Sequence, residues 1–443
     1  MRQRCASVTA PSYVPEQPAY RSYTLRDLGR IPQIRALPSS LRREMEVVAE
    51  VLPFRASNFV VDQLIDWSQA PEDPYFRLVF PVRDMLREPH FARMDEALQD
   101  GDETRIRAVA QSLRSELNPH PSRQMELNVP RLDGIQLPGM QHKYPETLLF
   151  FPTQGQTCHA YCSFCFRWAQ FVGDGKLRFA SREAEHLVAY LRSHPEVNDV
   201  LLTGGDPLVM KTHTLSTYLD ALLAADLEHL DSIRIGTKSL TFWPYRFLTD
   251  PDADDLLRLF ERVVRRGKHL ALMAHFNHHR AVTHPVVQRA IRRIRETGAE
   301  IRTQSPLLRH INDSPEVWSE MWSAQVKSGC IPYYMFVARD TGAQHHFGVP
   351  LARAWEIFQG AYSRVSGLAR TVRGPCMSTA PGKVQVMGVN DVEGERVFTL
   401  QFVQAREPDR VLRPFFARYD PDAYWFDDLQ PAFGQESFFA RIH

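Results

Sequence analysis

VNDVLLTGGDPLVMKTHTLSTYLDALLAA, residues 197–225, reads as a strand, a glycine turn and a helix. The apolar run VLL is strand-like and stops at Gly204–Gly205, and the helical stretch begins near His213. Units of the same texture surround it. TLLFFP leads through a cysteine-rich loop to SREAEHLVAYLRSH, with Ser181 as the expected N-cap and Glu183 in the first turn. SIRIG precedes DADDLLRLFERVVRRG, and LALMAHFN precedes HPVVQRAIRRIRETG, where Gly298 should end the helix. AEIRTQS precedes SPEVWSEMWSAQVKSG, and IPYYMFVAR precedes PLARAWEIFQGAYSRV. Six strand–helix units in series build a parallel sheet, and a curved parallel sheet of six closes part of a barrel. Such sheets carry their chemistry at the C-terminal ends of the strands.

Outside this series the texture differs. Residues 1–130 read as mostly helical, with LPSSLRREMEVVAEVLPF and TRIRAVAQSLRSEL at helical spacing. Residues 140–370 would hold the α/β partial barrel, and 371–443 a mixed α and β segment with an aromatic-rich end. The 443 residues are 44% hydrophobic and 24% charged, with a net charge of +1. Near-neutrality speaks against a nucleic-acid groove or a polybasic membrane patch and points to a small substrate. MRQRCASVTAPSY lacks the apolar centre of a signal peptide, and no apolar run reaches the ~18 residues of a membrane span. A cytoplasmic protein is expected.

Of six cysteines, Cys158, Cys162 and Cys165 fall within eight residues, while Cys5, Cys330 and Cys376 lie far apart. That spacing suits a metal site in a reducing compartment better than a disulfide framework. In CHAYCSFCFR, three thiolates can bind three irons of one cubane if the backbone wraps around it. The fourth iron then lacks a protein ligand and is open to chelate a substrate, unlike the full ligation of electron-transfer clusters. Phe164 and Phe166 would limit water there. A zinc site would need a fourth ligand, and His159 is awkwardly adjacent to Cys158.

CxxxCxxC followed one unit later by GGDP resembles the radical S-adenosylmethionine superfamily. The resemblance implies a 4Fe–4S cluster on the three cysteines. It also implies S-adenosylmethionine on the open iron, with its ammonium against Gly204, Gly205 and Asp206. From about Ser57 to Gly388 the chain is similar to the lysine 2,3-aminomutase family. The matching stretches are ASNFVVDQLIDW, KYPETLLF, CHAYCSFCFR, VLLTGGDPL, IRIGTKS, AHFNH, TQSPLLRHIND, PYYMF with HHF, and APGK. This resemblance implies a partial (β/α)6 barrel flanked by helices, and a second cofactor, pyridoxal 5′-phosphate, on Lys383. Lys143 would contact its phosphate as a point charge, and Tyr144 would sit near its ring. Arg167 would hold the substrate α-carboxylate, a task suited to a bidentate guanidinium. Gly236, Lys238, His275, Asn277 and Gln304 would lie around S-adenosylmethionine or the pyridoxal ring. His278, His279, His345 and His346 have no carboxylate at ligand spacing and read as structural.

The family's lysine enzymes bind the distal ammonium with two aspartates. Counting back from His346-Phe347, the first of those positions is Arg339 here, and the second, immediately before Ala380-Pro381, is Thr379. A buried cation facing Arg339 would be a costly like-charge contact, so a glutamate-like or neutral side chain is favoured. Asp340 is adjacent, and a one-residue slip would restore an acid and a lysine substrate, free or protein-attached. The family's C-terminal zinc cysteines are absent after Cys376. The expected activity is migration of an amino group from C2 to C3, with an electron donor such as flavodoxin or ferredoxin and a homo-oligomeric assembly. An iron–sulfur redox protein without turnover is the alternative of another class.

Overall fold

The short apolar runs pair side by side in chain order, giving one sheet of eleven strands. The structure is a computed structural model that describes residues 18–118, 128–172, 180–181, 183–339 and 341–439. β1 (Met140–Tyr144) is antiparallel to β2 (Thr147–Phe150). From β2 the ladder is parallel through β3 (Asp199–Leu202), β4 (Ser232–Thr237) and β5 (His269–His275). It continues parallel through β6 (Glu300–Leu307), β7 (Ile331–Val337) and β8 (Arg373–Ser378). β9 (Gly382–Val392), β10 (Glu395–Ala405) and β11 (Pro414–Arg418) add an antiparallel meander.

The N-terminal region supplies α1 (Ser39–Val51), α2 (Glu88–Asp100) and α3 (Glu103–Leu117). The crossovers between parallel strands carry α4 (Ala184–Ser193), α5 (Thr212–Ala224), α6 (Ala253–Arg265), α7 (Pro285–Glu296), α8 (Pro315–Lys327) and α9 (Leu351–Ser363). Gly298, at φ +85°, follows the end of α7. Ser181 does not cap α4. Glu183 stands at the N-cap, because both backbone groups of Ser181 are bonded to Phe151 and Thr153 at the end of β2. The Ser181 hydroxyl instead accepts from the Glu183 backbone N–H.

β8 is a seventh parallel strand, inside the segment 371–443 that the sequence offered only as mixed α and β. Its RGPCMS run contains Gly374 and Pro375, residues that weaken any strand pattern. The sheet also curls. β1 and β8 are seven steps apart in the ladder, about 34 Å if flat. Yet the Lys143 ammonium on β1 donates to the carbonyl of Thr379, just beyond β8. Gln404 on β10 likewise donates to Glu146 in the β1–β2 turn, at 2.8 Å.

β5 is buried at five consecutive positions, as expected where a parallel sheet is covered on both faces. One apolar cluster runs from Tyr23 to Val372 and takes in Met45, Val48 and Leu113 of the N-terminal helices. A second gathers Leu351, Met377, Val384, Phe398, Leu400 and Phe402 behind the meander.

Candidate active site

The cysteine loop leaves β2 at its C-terminal end and turns on itself. The Cys165 N–H donates to the Cys162 carbonyl at 3.1 Å, and Trp168 N–H to that of Cys165 at 3.1 Å. Cys158, Cys162 and Cys165 are unbridged and partly exposed. Burial pushes all three thiols up, Cys162 to about 12, and the charges of Cys165 and Cys162 raise Cys158 further. The three thiols thus lie near enough to feel one another's charge. Among the described residues no three His, Cys, Asp or Glu side chains converge on a single ion. Zinc gathers its ligands on one ion, whereas a cubane spreads its irons over separate thiolates. Bound cations would reverse the protonation preference of such thiols.

The loop is held from two sides. From the N-terminal region, the Tyr20 hydroxyl donates to the His159 carbonyl at 2.7 Å. Arg55 reaches the Thr157 hydroxyl at 2.8 Å, and the Ser163 hydroxyl donates to the Arg77 carbonyl at 2.7 Å. From the β3 turn, Gly204 and Gly205 press against the loop. A Cβ on Gly204 would lie 2.4 Å from Gln156 Nε2, and one on Gly205 2.4 Å from the Thr157 carbonyl oxygen. Asp206 N–H donates to that same carbonyl at 2.7 Å.

Asp206 is buried, and its carboxylate is committed within the chain. It accepts from the hydroxyls of Thr237 and Ser239 and from the backbone N–H groups of Lys238 and Leu208, at 2.8–3.0 Å. Ser239 Oγ also lies 3.2 Å from Nδ1 of His159, inside the cysteine spacer. Asp206 thus ties β4 to the cysteine loop. Gly236 lies in β4, where a Cβ would meet Thr203 Oγ1 at 3.3 Å. Lys238 is buried beside the thiols, with its ammonium on Asn277 Oδ1. Burial depresses that ammonium, and the nearby thiol charges of Cys162 and Cys158 oppose the effect. Asn277 donates to Ser305 at 2.8 Å, and His275 pairs with Gln304 at 2.7 Å across β5 and β6.

Arg167 is 7% exposed and lies over the Phe151 ring at 4.6 Å. Its Nη2 donates to Gln156 Oε1 at 2.9 Å and Gln170 Oε1 at 3.0 Å. Its Nη1 is buried with no partner among the described residues. A buried guanidinium with an unmet donor fits an anion.

The second group gathers around Lys383 at the start of β9. Its Nζ lies 4.3 Å from the centroid of the Tyr334 ring and donates to Gln404 Oε1 at 3.0 Å. Burial lowers this lysine to about 8. Lys143 is also lowered to about 8, by burial and then by Arg406, and its ammonium lies 5.2 Å from the Tyr144 ring. Arg234, Arg373 and Lys143 all bear on Lys383. A depressed amine among fixed cations suits a phosphate-bearing aldehyde.

Arg339 and Thr379 are placed differently from each other. The Thr379 hydroxyl is buried and donates to the Gly382 carbonyl at 2.8 Å. Arg339 pairs with Asp427 at 3.3 Å and lies over the Trp425 ring at 4.8 Å. Asp340 lies outside the described residues. The histidines do not assemble. His278 accepts from the Arg280 N–H, His279 faces Glu320, His345 bonds the Asp84 carbonyl, and His346 lies against His310 with the rings tilted. Gln156, Glu146, Gln404 and Asp427 were not legible as site residues. They are ordinary polar residues brought in by sheet register and loop packing, with no local motif.

No family model matches the chain. It is 33% identical over 396 residues to the Aquifex aeolicus protein named "Putative L-lysine 2,3-aminomutase", covering 89% of this chain and 92% of that one. The chain belongs to the lysine 2,3-aminomutase family. Within that family, L-lysine 2,3-aminomutase of Clostridium subterminale is 31% identical over 52% of this chain and 52% of its own length. That of Fusobacterium nucleatum is 28% identical over 68% and 65%. The chain thus spans about half to two thirds of those two lysine 2,3-aminomutases. Among solved structures, Streptococcus suis SuiB bound to S-adenosylmethionine is 12% identical over 59% of this chain and 49% of that one. Its TM-score of 0.34 is too low to bear on a lysine 2,3-aminomutase family fold.

Proposed function

We propose that this protein is a radical S-adenosylmethionine, pyridoxal 5′-phosphate-dependent 2,3-aminomutase that converts an α-amino acid into its β-isomer. One observation carries the reading. Buried Arg167, with an unmet donor, lies on the cysteine loop that follows β2, and Lys383, a depressed amine among cations, lies on β9 opposite Ser378 at the C-terminal end of β8. In this reading the curled parallel strands form the partial (β/α)6 barrel. When bound, the cluster with S-adenosylmethionine supplies a one-electron hydrogen-abstracting agent, and pyridoxal 5′-phosphate supplies a carbonyl that holds the amino nitrogen.

The chain's own residues bind and orient. Cys158, Cys162 and Cys165 hold the cluster, and Phe164 beside them is buried and limits water. Gly204 and Gly205, lacking side chains, let the β3 turn pack directly on the cysteine loop, beside which the methionyl group would bind. Arg167 fixes the substrate carboxylate, Lys383 the cofactor and Lys143 its phosphate. An electron donor such as flavodoxin or ferredoxin supplies the electron, and the protein works as a cytoplasmic homo-oligomer. Among the described residues no helix is long and apolar enough to cross a membrane.

On the substrate side chain, the aspartate positions of the lysine enzymes hold Arg339 and Thr379, which supports a glutamate-like or neutral group. The ion pair of Arg339 with Asp427 favours the neutral one. A second reading, lysine free or protein-attached, draws on that same Asp427 as a carboxylate for the distal ammonium. The test uses protein reconstituted with cluster and cofactors, given reductant and S-adenosylmethionine. Glutamate, aspartate, lysine, arginine and neutral amino acids are supplied separately. One of them should yield a β-isomer, lost in Cys162→Ala and in Lys383→Ala. Absence of 5′-deoxyadenosine with every amino acid would instead leave an iron–sulfur protein without turnover.

A further inference from the structure

Lys383 and Gln404 are direct cross-strand partners on β9 and β10. Lys383 Nζ donates to Gln404 Oε1 at 3.0 Å, and Gln404 Nε2 donates to Glu146 Oε1 at 2.8 Å. The amide orientation is fixed from both ends, because an ammonium needs an acceptor and a carboxylate needs a donor. Glu146 comes from the β1–β2 turn, so the relay spans the closing point of the curled sheet.

We infer that Gln404, backed by Glu146, is the positioning residue for Lys383, an uncharged relay that aims the amine without locking it as an ammonium. The inference rests on the reading that Lys383 holds the cofactor aldehyde. Condensation of an amine with an aldehyde forms a C–N double bond, releases water and requires the neutral amine. A carboxylate in direct contact would stabilise the charged form. Placing an amide between the two keeps the aim and removes that bias. The other groups facing Lys383 are Arg373 and Cys376 on β8, Tyr334 on β7, Arg234 on β4 and Lys143 on β1. The cations among them disfavour the ammonium, in line with the lowering to about 8.

The test strips full-length protein of pyridoxal 5′-phosphate and follows reloading by the absorbance of the lysine-linked cofactor across pH. The parent's loading rate should rise with pH and level off above about 8, where the amine is neutral. Gln404→Leu should load about tenfold more slowly, having lost the hydrogen bond that aims Nζ. The swap Glu146→Gln with Gln404→Glu keeps shape and total charge but brings the carboxylate onto the amine. It should move the midpoint up by about one pH unit or more. A merely structural pair would leave that midpoint in place. The inference is overturned if the parent loads on Lys383 while Gln404→Leu keeps its rate and the swap keeps its midpoint. If Lys383→Ala loads as the parent does, the functional reading itself falls, and the relay with it.

Discussion

Arg167 shows how a single side chain can be legible in sequence and still need the fold. The family resemblance implied a carboxylate ligand at this position, but not which of its donors is available. The structure settles two donor contacts on Gln156 and Gln170 and leaves Nη1 buried without a partner among the described residues. Lysine at this position would keep the charge and lose the fork. Arg167→Lys should therefore raise KM for the amino acid about 10- to 100-fold, the equivalent of one charged hydrogen bond. The fall in kcat should be smaller, and steady-state kinetics at saturating S-adenosylmethionine would measure both. Asp206 carries the opposite lesson. Its motif suggested a cofactor contact, yet its carboxylate is taken up by four residues of the chain. Motif reading names the residue but not which of its atoms are already committed.

At the scale of elements, the parallel strands and their helices were legible because apolar runs and helical periodicity are local signals. β8 was not, since Gly374 and Pro375 interrupt its pattern and only pairing with β7 makes it a strand. Nor was the Ser181 cap, because a tertiary bridge to the end of β2 outcompetes a local preference. The β3 turn is the element that fixes the cysteine loop. A methyl group on Gly205 would stand 2.4 Å from the Thr157 carbonyl oxygen and 2.7 Å from its nitrogen, so backbone must move. Gly205→Ala should lower stability by about 1–3 kcal/mol and reduce the iron retained after reconstitution to less than half. Thermal denaturation and iron assay would check this. Gly29→Ala, with nothing within 4 Å of the new carbon, should change neither.

At the scale of the molecule, composition indicated a globular chain with a small substrate and no more. The curl that brings β1 against the end of β8 is a long-range result that no window of sequence reveals. It assembles the Lys383 group from three distant stretches, around residues 143, 334 and 404. The N-terminal region joins the same apolar core and reaches over the cysteine loop through Tyr20, Arg55 and Arg77. In the proposed reaction, cluster and lysine act on one and the same amino acid. The most direct test supplies the accepted amino acid with deuterium at C3 to the reconstituted protein and examines the 5′-deoxyadenosine formed. Deuterium in that product, with the β-isomer alongside, and neither in Lys383→Ala, is the predicted result. 5′-Deoxyadenosine that forms without deuterium and without a β-isomer would contradict it.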